Sequence, residues 1–126
     1  MTDSNTKKIV LVVDDAPANL AVLSEILKPS YQIRAAKNGA LALKIAHAPT
    51  PPHVVLLDVE MPDMDGYEVC EKLKADDATR DIPVIFVTGH SDPEQQQKGM
   101  GLGAAGYLTK PVEPATVLEK LAAVLG

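Results

Sequence analysis

The sequence contains few aromatic residues and almost no cysteine. It has no Trp, one Phe and three Tyr, and Cys70 is its single cysteine. A lone cysteine excludes an internal disulfide, and no group of Cys and His residues has the spacing of a zinc site. The chain is therefore compatible with a reducing compartment.

Long apolar runs and clusters of positive charge are missing as well. The polar segment 1–8 leads into an apolar run that is too short for a signal peptide or a membrane span. We therefore expect a cytoplasmic protein with no membrane partner. The net charge of −5, without a cluster of Lys and Arg, argues against direct binding of nucleic acid.

What the chain does contain is an ordinary globular composition. Hydrophobic residues make up 46% of its 126 residues and charged residues 23%, which argues against disorder. This length suits one domain that buries roughly two thirds of its unfolded surface. Because no repeat, low-complexity tract or long linker is present, we expect a single domain over residues 1–126 with a core over about 8–125.

Five short apolar segments alternate with five segments of helical periodicity. The predicted strands are Ile9–Val13, Tyr31–Ala35, Val54–Leu57, Ile82–Val87 and Ala104–Leu108. The predicted helices are Asn19–Lys28, a second that opens at Asn38-Gly39, Gly66–Ala75, a fourth capped by Asp92 with Pro93 in its first turn, and Val112–Leu125. This alternation predicts an α/β fold, a flavodoxin-like doubly wound parallel sheet of order 2-1-3-4-5 with helices on both faces.

Polar residues follow four of the predicted strands at the point where each strand ends. Asp14 and Asp15 follow the first strand, Asp58 the third, Thr88 the fourth and Lys110 the fifth. The carboxyl ends of neighbouring parallel strands meet at one edge of the sheet, where ligands bind in open α/β folds. Three carboxylates gathered there repel one another unless a cation intervenes, and an all-oxygen ligand set suits Mg²⁺.

The same edge of the sheet offers groups for phosphoryl chemistry. We expect Lys110 and Thr88 to supply a buried ammonium and a hydroxyl that suit a tetrahedral anion. An Asp carboxylate can act as a nucleophile toward phosphorus. The pattern therefore predicts an aspartyl phosphate on Asp58. Each of these residues is commonplace when taken alone, so the hypothesis rests on the complete set at matching strand ends.

Four motifs, in their order and spacing, resemble the receiver domain of two-component response regulators. They read V-V-D-D, L-L-D-V-E-M-P-D-M-D-G, V-T-G and L-T-K-P, and the likeness runs from about Ile9 to Leu125. The resemblance implies that Asp58 accepts a phosphoryl group from a phosphohistidine. The partner that supplies it would be a sensor histidine kinase or a phosphotransfer protein.

The resemblance also assigns the groups around Asp58. Its metal-binding positions are Asp14, Asp15, Asp58 and the backbone carbonyl of Glu60, and its phosphoryl-contacting positions are Thr88 and Lys110. Tyr107 matches an aromatic switch residue that turns inward as Thr88 closes on the phosphoryl group. The Lys110-Pro111 bond matches a peptide bond that is cis in the family.

For the output, the resemblance implies a downstream effector or output domain that reads the face of the fourth helix, fifth strand and fifth helix. A homodimer through this face is a further expectation. We also hypothesise that the glycine-rich fourth helix, Pro93–Leu102, is marginal in the unphosphorylated protein, because each glycine inside a helix costs roughly 1 kcal/mol relative to Ala. It would move together with Tyr107 when Thr88 moves.

Two other functions are compatible with this topology. One is a Mg²⁺-dependent phosphohydrolase with Asp58 as nucleophile and Glu60 as general acid. Enzymes of that class carry a D-x-D motif after their first strand, whereas this chain has D-V-E after its third. The other is a flavodoxin-like electron carrier, for which the chain lacks a phosphate loop after the first strand. By the resemblance, Glu60 and His90 occupy variable positions that flank the site in the family, and the sequence leaves the roles of their side chains open.

Overall fold

Five strands and five helices alternate along the chain in the computed structural model, which describes residues 7–89 and 92–125. The strands are β1 (Ile9–Val13), β2 (Gln32–Ala36), β3 (Val54–Asp58), β4 (Val84–Thr88) and β5 (Gly106–Thr109). The helices are α1 (Pro17–Leu27), α2 (Gly39–Ala46), α3 (Gly66–Ala75), α4 (Pro93–Gly101) and α5 (Pro114–Leu125). The predicted alternation of strands and helices is confirmed.

The strands form one parallel sheet in the order β2-β1-β3-β4-β5. This is the predicted flavodoxin-like order. It places β1 and β4 on either side of β3, so the ends of β1, β3, β4 and β5 lie along one edge of the sheet. The prediction of the fold is confirmed.

Several element boundaries differ from the predicted ones by one or two residues. β4 begins at Val84 rather than Ile82, because Pro83 has no N–H to donate to the sheet. β5 begins at Gly106 rather than Ala104, and α5 begins at Pro114 rather than Val112. A proline fits the first turn of a helix, where its missing N–H has no partner to lose.

Alternate residues of each strand point to opposite faces of the sheet and build two separate cores. On one face, Val10 and Val12 of β1 pack in a cluster that includes Leu23 of α1 and Val117 of α5. The opposite face carries a second cluster. It contains Leu11, Val13, Leu57 and Phe86 from the strands, together with residues of α2 and α3. Both faces are covered, which explains why β1 is apolar throughout and why β3 and β4 are apolar up to their last residues, Asp58 and Thr88.

Small residues form the buried face of α2. Its larger apolar residues, Leu41, Leu43 and Ile45, are only partly buried. Its buried residues are Gly39, Ala42 and Ala46. The reason is a close approach to α3, since a Cβ atom at Gly39 would lie 2.8 Å from Cγ2 of Val69.

The helix α4 is attached to the sheet by little apolar surface. Its N-cap is Asp92, whose side chain accepts a hydrogen bond from the backbone N–H of Gln95 at 2.9 Å, with Pro93 in the first turn as predicted. Gly99 is its one buried residue among those described, and Met100 is 49% exposed. Because most helical stability in proteins comes from packing, α4 is expected to be weakly held.

Within residues 7–89 and 92–125, no helix is both long enough and apolar enough to span a membrane.

A histidine and a carboxylate connect the C-terminal ends of α2 and α3. Nδ1 of His47 lies 2.8 Å from the carbonyl oxygen of Leu43, and Nε2 lies 2.8 Å from Oδ2 of Asp76. Both ring nitrogens can donate only in the imidazolium form. The hydrogen bonds to Leu43 and then to Asp76 raise the pKa of His47. Hydrogen bonds from the backbone N–H of Ala78 and then from His47 lower the pKa of Asp76.

We expect this pair to make the free energy of unfolding depend on pH. The contribution of His47 is complete below its ordinary pKa of 6.5 and is lost as pH rises through the raised folded-state value. The contribution of Asp76 is present above 3.8 and is lost as pH falls through its lowered folded-state pKa. His47→Gln keeps a donor but does not titrate. Urea unfolding should therefore show a smaller loss of stability in this variant than in the wild type between about pH 6 and pH 8. An equal loss in both proteins would contradict the expectation.

Candidate functional site

The register of the sheet brings the predicted site residues to one edge. Val13 of β1 pairs with Leu57 of β3, so the next residues, Asp14 and Asp58, leave their strands side by side. On the other side of β3, Asp58 pairs with Val87, which precedes Thr88. Strand pairing thus places the carboxylates of β1 and β3 next to the end of β4.

Lys110 joins the two buried carboxylates. Its Nζ donates to Oδ2 of Asp14 at 2.8 Å and to Oδ1 of Asp58 at 3.1 Å. Asp14 and Asp58 are only 1% and 5% exposed, whereas the side chain of Lys110 is 25% exposed. Sequence reasoning expected a buried ammonium, and the structure shows one that is partly open to solvent.

Hydrogen bonds to both carboxylate oxygens and from the backbone N–H hold Asp14 in place. Its Oδ1 accepts a hydrogen bond from the backbone N–H of Ala16 at 2.9 Å. Its backbone N–H donates to the carbonyl oxygen of Ala36 at the end of β2. The carboxylate is therefore held in one orientation by the start of the loop that leads to α1.

Burial and charge act in opposite directions on Asp58. Burial, and next the negative charge of Asp14, raise the pKa of Asp58, and the ammonium of Lys110 offsets part of this effect. Burial alone would lower the pKa of Lys110. The hydrogen bond to Asp14 and the charge of Asp58 outweigh burial, so the pKa of Lys110 is raised. Because one ammonium faces two carboxylates, Lys110 offsets only part of their negative charge.

Three carboxylates are close enough to bind one metal ion. Asp14, Asp15 and Asp58 each offer an oxygen atom, and these atoms lie within 4.8 Å of one another. Asp14 and Asp58 are buried, whereas Asp15 is exposed. A set of carboxylate oxygens with one open side fits a hard cation such as Mg²⁺, which retains several of its water ligands in proteins.

The end of β5 lies beside the end of β4. Thr88 is 1% exposed, it pairs with Thr109, and its carbonyl oxygen accepts a hydrogen bond from the backbone N–H of Lys110 at 2.7 Å. The following Lys110-Pro111 peptide bond is cis, as the resemblance implies.

A turn shapes the loop between β3 and α3. The backbone N–H of Met64 donates to the carbonyl oxygen of Pro62 at 2.8 Å, and Asp63 between them has φ of 71°. This is a three-residue turn with a left-handed centre, a conformation that Asp tolerates better than most residues. Glu60 lies in this loop as an exposed residue. His90 lies outside the described residues.

Gly66 is a site residue whose role the sequence alone did not reveal. Its backbone N–H donates to the carbonyl oxygen of Val59 at 2.8 Å. A Cβ atom at this position would overlap the carbonyl oxygen of Asp58 and lie 2.9 Å from Cα of Val59. The absence of a side chain at the start of α3 therefore lets the helix approach the backbone that carries Asp58. The sequence feature that could have indicated this role is the pair Asp65-Gly66, which follows β3 and begins α3.

Tyr107 lies away from the carboxylates, under α4. Its ring is partly buried and is tilted by 54° to the ring of Phe86, with 5.9 Å between the centroids. The structure thus brings Asp14, Asp15, Asp58 and Lys110 together, with Thr88 beside them, and places Tyr107 in a separate aromatic group.

Comparison with known proteins decides the family. The sequence model described as "Response regulator receiver domain" matches residues 10–122. The chain belongs to the response regulator receiver family. This family serves two-component signalling, and its members bind Mg²⁺ at an acidic pocket of the kind that Asp14, Asp15 and Asp58 form here.

Curated relatives and a solved structure resemble this receiver domain closely. A "Probable cyclic di-GMP phosphodiesterase" of Vibrio cholerae is 50% identical over 103 residues, which are 82% of this chain and 23% of that protein. "Protein PilH" of Pseudomonas aeruginosa is 38% identical over 117 residues, which are 92% of this chain and 96% of that protein. The structure of the Vibrio cholerae chemotaxis protein CheY4 has a TM-score of 0.88 and 32% identity, and covers 94% of this chain and 99% of that chain.

These comparisons favour a signalling receiver domain over the two alternatives. Neither the phosphohydrolase nor the electron carrier is supported by the family assignment. The receiver domain spans about a quarter of the length of the phosphodiesterase relative. The activity named for that longer protein is therefore not transferred to this chain.

We expect Gly66→Ala to destabilise the receiver domain, because the new methyl group meets backbone atoms of β3 that cannot move aside without disturbing Asp58. Overpacking of this kind costs about 1–3 kcal/mol. Gly89→Ala is the matched control, since no atom lies within 4 Å of a Cβ atom at Gly89. It should change the free energy of unfolding by about 0.5 kcal/mol or less. Equal stabilities of the two variants in urea unfolding would show that α3 does not depend on this approach.

Proposed function

We propose that this receiver domain accepts a phosphoryl group on Asp58 from the phosphohistidine of a histidine kinase or a phosphotransfer protein. The observation that supports this proposal is the contact of Lys110 with both Asp14 and Asp58, at 2.8 and 3.1 Å. It provides a nucleophilic carboxylate, a second carboxylate for a metal and a cation in one place.

The proposed step is an exchange of one bond at phosphorus for another. A carboxylate oxygen of Asp58 attacks the phosphorus, an O–P bond forms, and the P–N bond to the donor histidine breaks. The electron pair of that bond stays on the departing imidazole nitrogen, which takes up a proton from solvent. The product on this chain is an acyl phosphate.

Lys110 and Thr88 are the groups of this chain that we assign to the transferring phosphoryl oxygens. The ammonium of Lys110 lies 3.1 Å from Oδ1 of Asp58, so it is placed to offset charge as it develops beside that carboxylate. Thr88 is buried at the end of the neighbouring strand. Its hydroxyl belongs to the same edge of the sheet and is the proposed donor to a phosphoryl oxygen.

Asp14, Asp15 and Asp58 are the proposed Mg²⁺ ligands, together with the backbone carbonyl of Glu60. Support for this assignment comes from the three carboxylate oxygens within 4.8 Å of one another. When bound, Mg²⁺ supplies the positive charge that the carboxylates and an incoming phosphoryl group require. The side chain of Glu60 takes no part in the proposed step.

Loss of the phosphoryl group returns the receiver domain to its starting state. Water attacks the phosphorus, the O–P bond to Asp58 breaks, and inorganic phosphate leaves with the carboxylate restored. We therefore propose a domain that catalyses its own phosphorylation and dephosphorylation, not turnover of an external substrate.

The proposed output is a change on the face formed by α4, β5 and α5. Phosphorylation adds roughly −1.5 to −2 charge, and such an event becomes a signal when it biases an element with two accessible states. Thr88 and Tyr107 lie on β4 and β5, between Asp58 and the weakly packed α4. We propose that movement of both residues repositions α4 for an effector, an output domain or a second copy of this chain.

Phosphorylation at Asp58 can be tested by intact mass after incubation with a small phosphodonor and Mg²⁺. We expect wild type to gain the mass of one phosphoryl group and Asp58→Asn to gain none. Asp63→Asn is the matched control, because it changes a carboxylate in the loop that follows β3 and Asn tolerates the positive φ there. It should gain mass like wild type. An equal gain in all three proteins would refute the assignment.

Lys110→Met tests whether Lys110 and Mg²⁺ both offset the negative charge of the carboxylates. The substitution removes the ammonium that faces Asp14 and Asp58. In the absence of Mg²⁺ we expect the free energy of unfolding of the variant to fall by about 2 kcal/mol, less than the loss of a fully buried pair would cost. Mg²⁺ should then raise its Tm more than that of wild type, because the ion is now the remaining source of positive charge. Lys28→Met removes an exposed pair with Glu25 and serves as the control. The same Mg²⁺ effect in all three proteins would count against a metal at this site.

A further inference from the structure

The single Phe and two of the three Tyr residues meet beneath α4. The ring of Tyr67 lies 5.2 Å from that of Phe86, centroid to centroid, with an angle of 61° between the planes. Phe86 in turn contacts Tyr107. We call Tyr67, Phe86 and Tyr107 the aromatic cluster. It connects α3, β4 and β5 at the place where α4 crosses them.

The hydroxyl of Tyr67 contacts both α4 and Tyr107. It lies 2.5 Å from Oε1 and 3.2 Å from the backbone carbonyl oxygen of Gln95, and 3.3 Å from the hydroxyl of Tyr107. Burial, and then the hydrogen bond with Tyr107, raise the pKa of Tyr67, so this hydroxyl keeps its proton. It can therefore donate to Gln95 while it accepts from Tyr107.

Two further features of α4 are directed at the aromatic cluster. Nζ of Lys98 lies 4.6 Å from the centroid of the Tyr67 ring, within the range of a cation–π contact. A Cβ atom at Gly99 would lie 2.8 Å from Cδ2 of Phe86 and 3.2 Å from Cε2 of Tyr107. The missing side chain of Gly99 is what allows α4 to come so close.

Apart from Leu102 at its C-cap, which packs against the core, the described part of α4 has few other contacts. Gly99 is the one buried residue described for this helix. A groove of about 720 Å³, lined by residues that include Met61, Pro62, Tyr67, Gln95 and Lys98, lies between the site loop and α4. On the side of this groove, Tyr67 contacts α4 through Gln95 and Lys98.

We propose that Tyr67 is a positioning residue with two effects. It holds α4 in its position in the unphosphorylated protein, and it sets how readily Tyr107 moves away from Tyr67. The first half of the proposal, that Tyr67 holds α4, depends only on contacts in the present structure. The second half rests on the proposed function, because it concerns the movement of Tyr107 that follows phosphorylation. A rotation of Tyr107 that breaks the 3.3 Å contact with Tyr67 removes a partner from both hydroxyls.

The first half is tested by amide hydrogen exchange in the absence of any phosphodonor. Tyr67→Phe keeps the ring and removes the hydroxyl, so we expect the α4 amides to exchange about three- to tenfold faster, the effect of losing one hydrogen bond. Tyr31→Phe is the matched control, because Tyr31 packs on the opposite face of the sheet, and it should leave α4 unchanged. Wild-type exchange rates of α4 in Tyr67→Phe would overturn the proposal.

A second variant tests the partner on α4. Gln95→Ala removes the side-chain acceptor of Tyr67 and leaves only the backbone carbonyl oxygen of Gln95, which lies 3.2 Å away. Gln97→Ala changes an exposed residue of the same helix. Ala is a better helix former than Gln, so propensity alone would slow exchange in both variants. Faster exchange in Gln95→Ala together with slower or equal exchange in Gln97→Ala supports the proposal. Equal effects of the two substitutions would contradict it.

The second half is tested by adding the phosphodonor and Mg²⁺ and measuring intact mass and exchange on the same samples. We expect the increase in α4 exchange on phosphorylation to be smaller in Tyr67→Phe than in wild type, because the contact with Tyr107 is already absent. Equal increases, with equal phosphoryl uptake, would overturn this half. A wild type that gains no phosphoryl mass would instead count against the proposed function, and the exchange data without phosphodonor would still decide the role of Tyr67.

Discussion

The ion pairs of Lys110 with Asp14 and Asp58 are the interaction on which the site depends. Two carboxylates are buried side by side, and removing the cation that faces them would cost about 2 kcal/mol, since Lys110 itself is partly exposed. Lys110 is 96 residues from Asp14 and 52 from Asp58 along the chain. The pairs form only when β1, β3 and β5 lie in the observed order, so the chemistry of the site depends on the topology of the sheet.

Close backbone approach is the second constraint, and it acts both beside Asp58 and at α4. At the site, Gly66 brings the start of α3 against the carbonyl of Asp58, and at the opposite region Gly99 brings α4 against Phe86. The two glycines have different consequences. Gly66 begins α3, which has a well-buried face. Gly99 belongs to α4, in which it is the one buried residue described. The receiver domain thus combines a closely packed start of α3 beside Asp58 with a loosely held α4.

Much of this architecture could be predicted from the sequence. Apolar runs of β-branched residues identify the strands, and their alternation with helical segments predicts the parallel order, because right-handed crossovers leave few alternatives. Once the order is known, residues at the strand ends become neighbours, which is how Asp14, Asp58 and Lys110 could be grouped. Proline moved the starts of β4 and α5 by two residues, since its missing N–H decides where a ladder or helix can begin.

The sequence by itself therefore determined the fold, the gathering of the acidic cluster and the family. Only the tertiary structure decided which side chains meet between elements that are not joined by strand pairing. Tyr67 and Gln95, His47 and Asp76, and Gly39 and Val69 are examples. The physical reason is that periodicity fixes the face on which a residue lies, whereas the distance between two helices depends on the sizes of all the side chains packed between them.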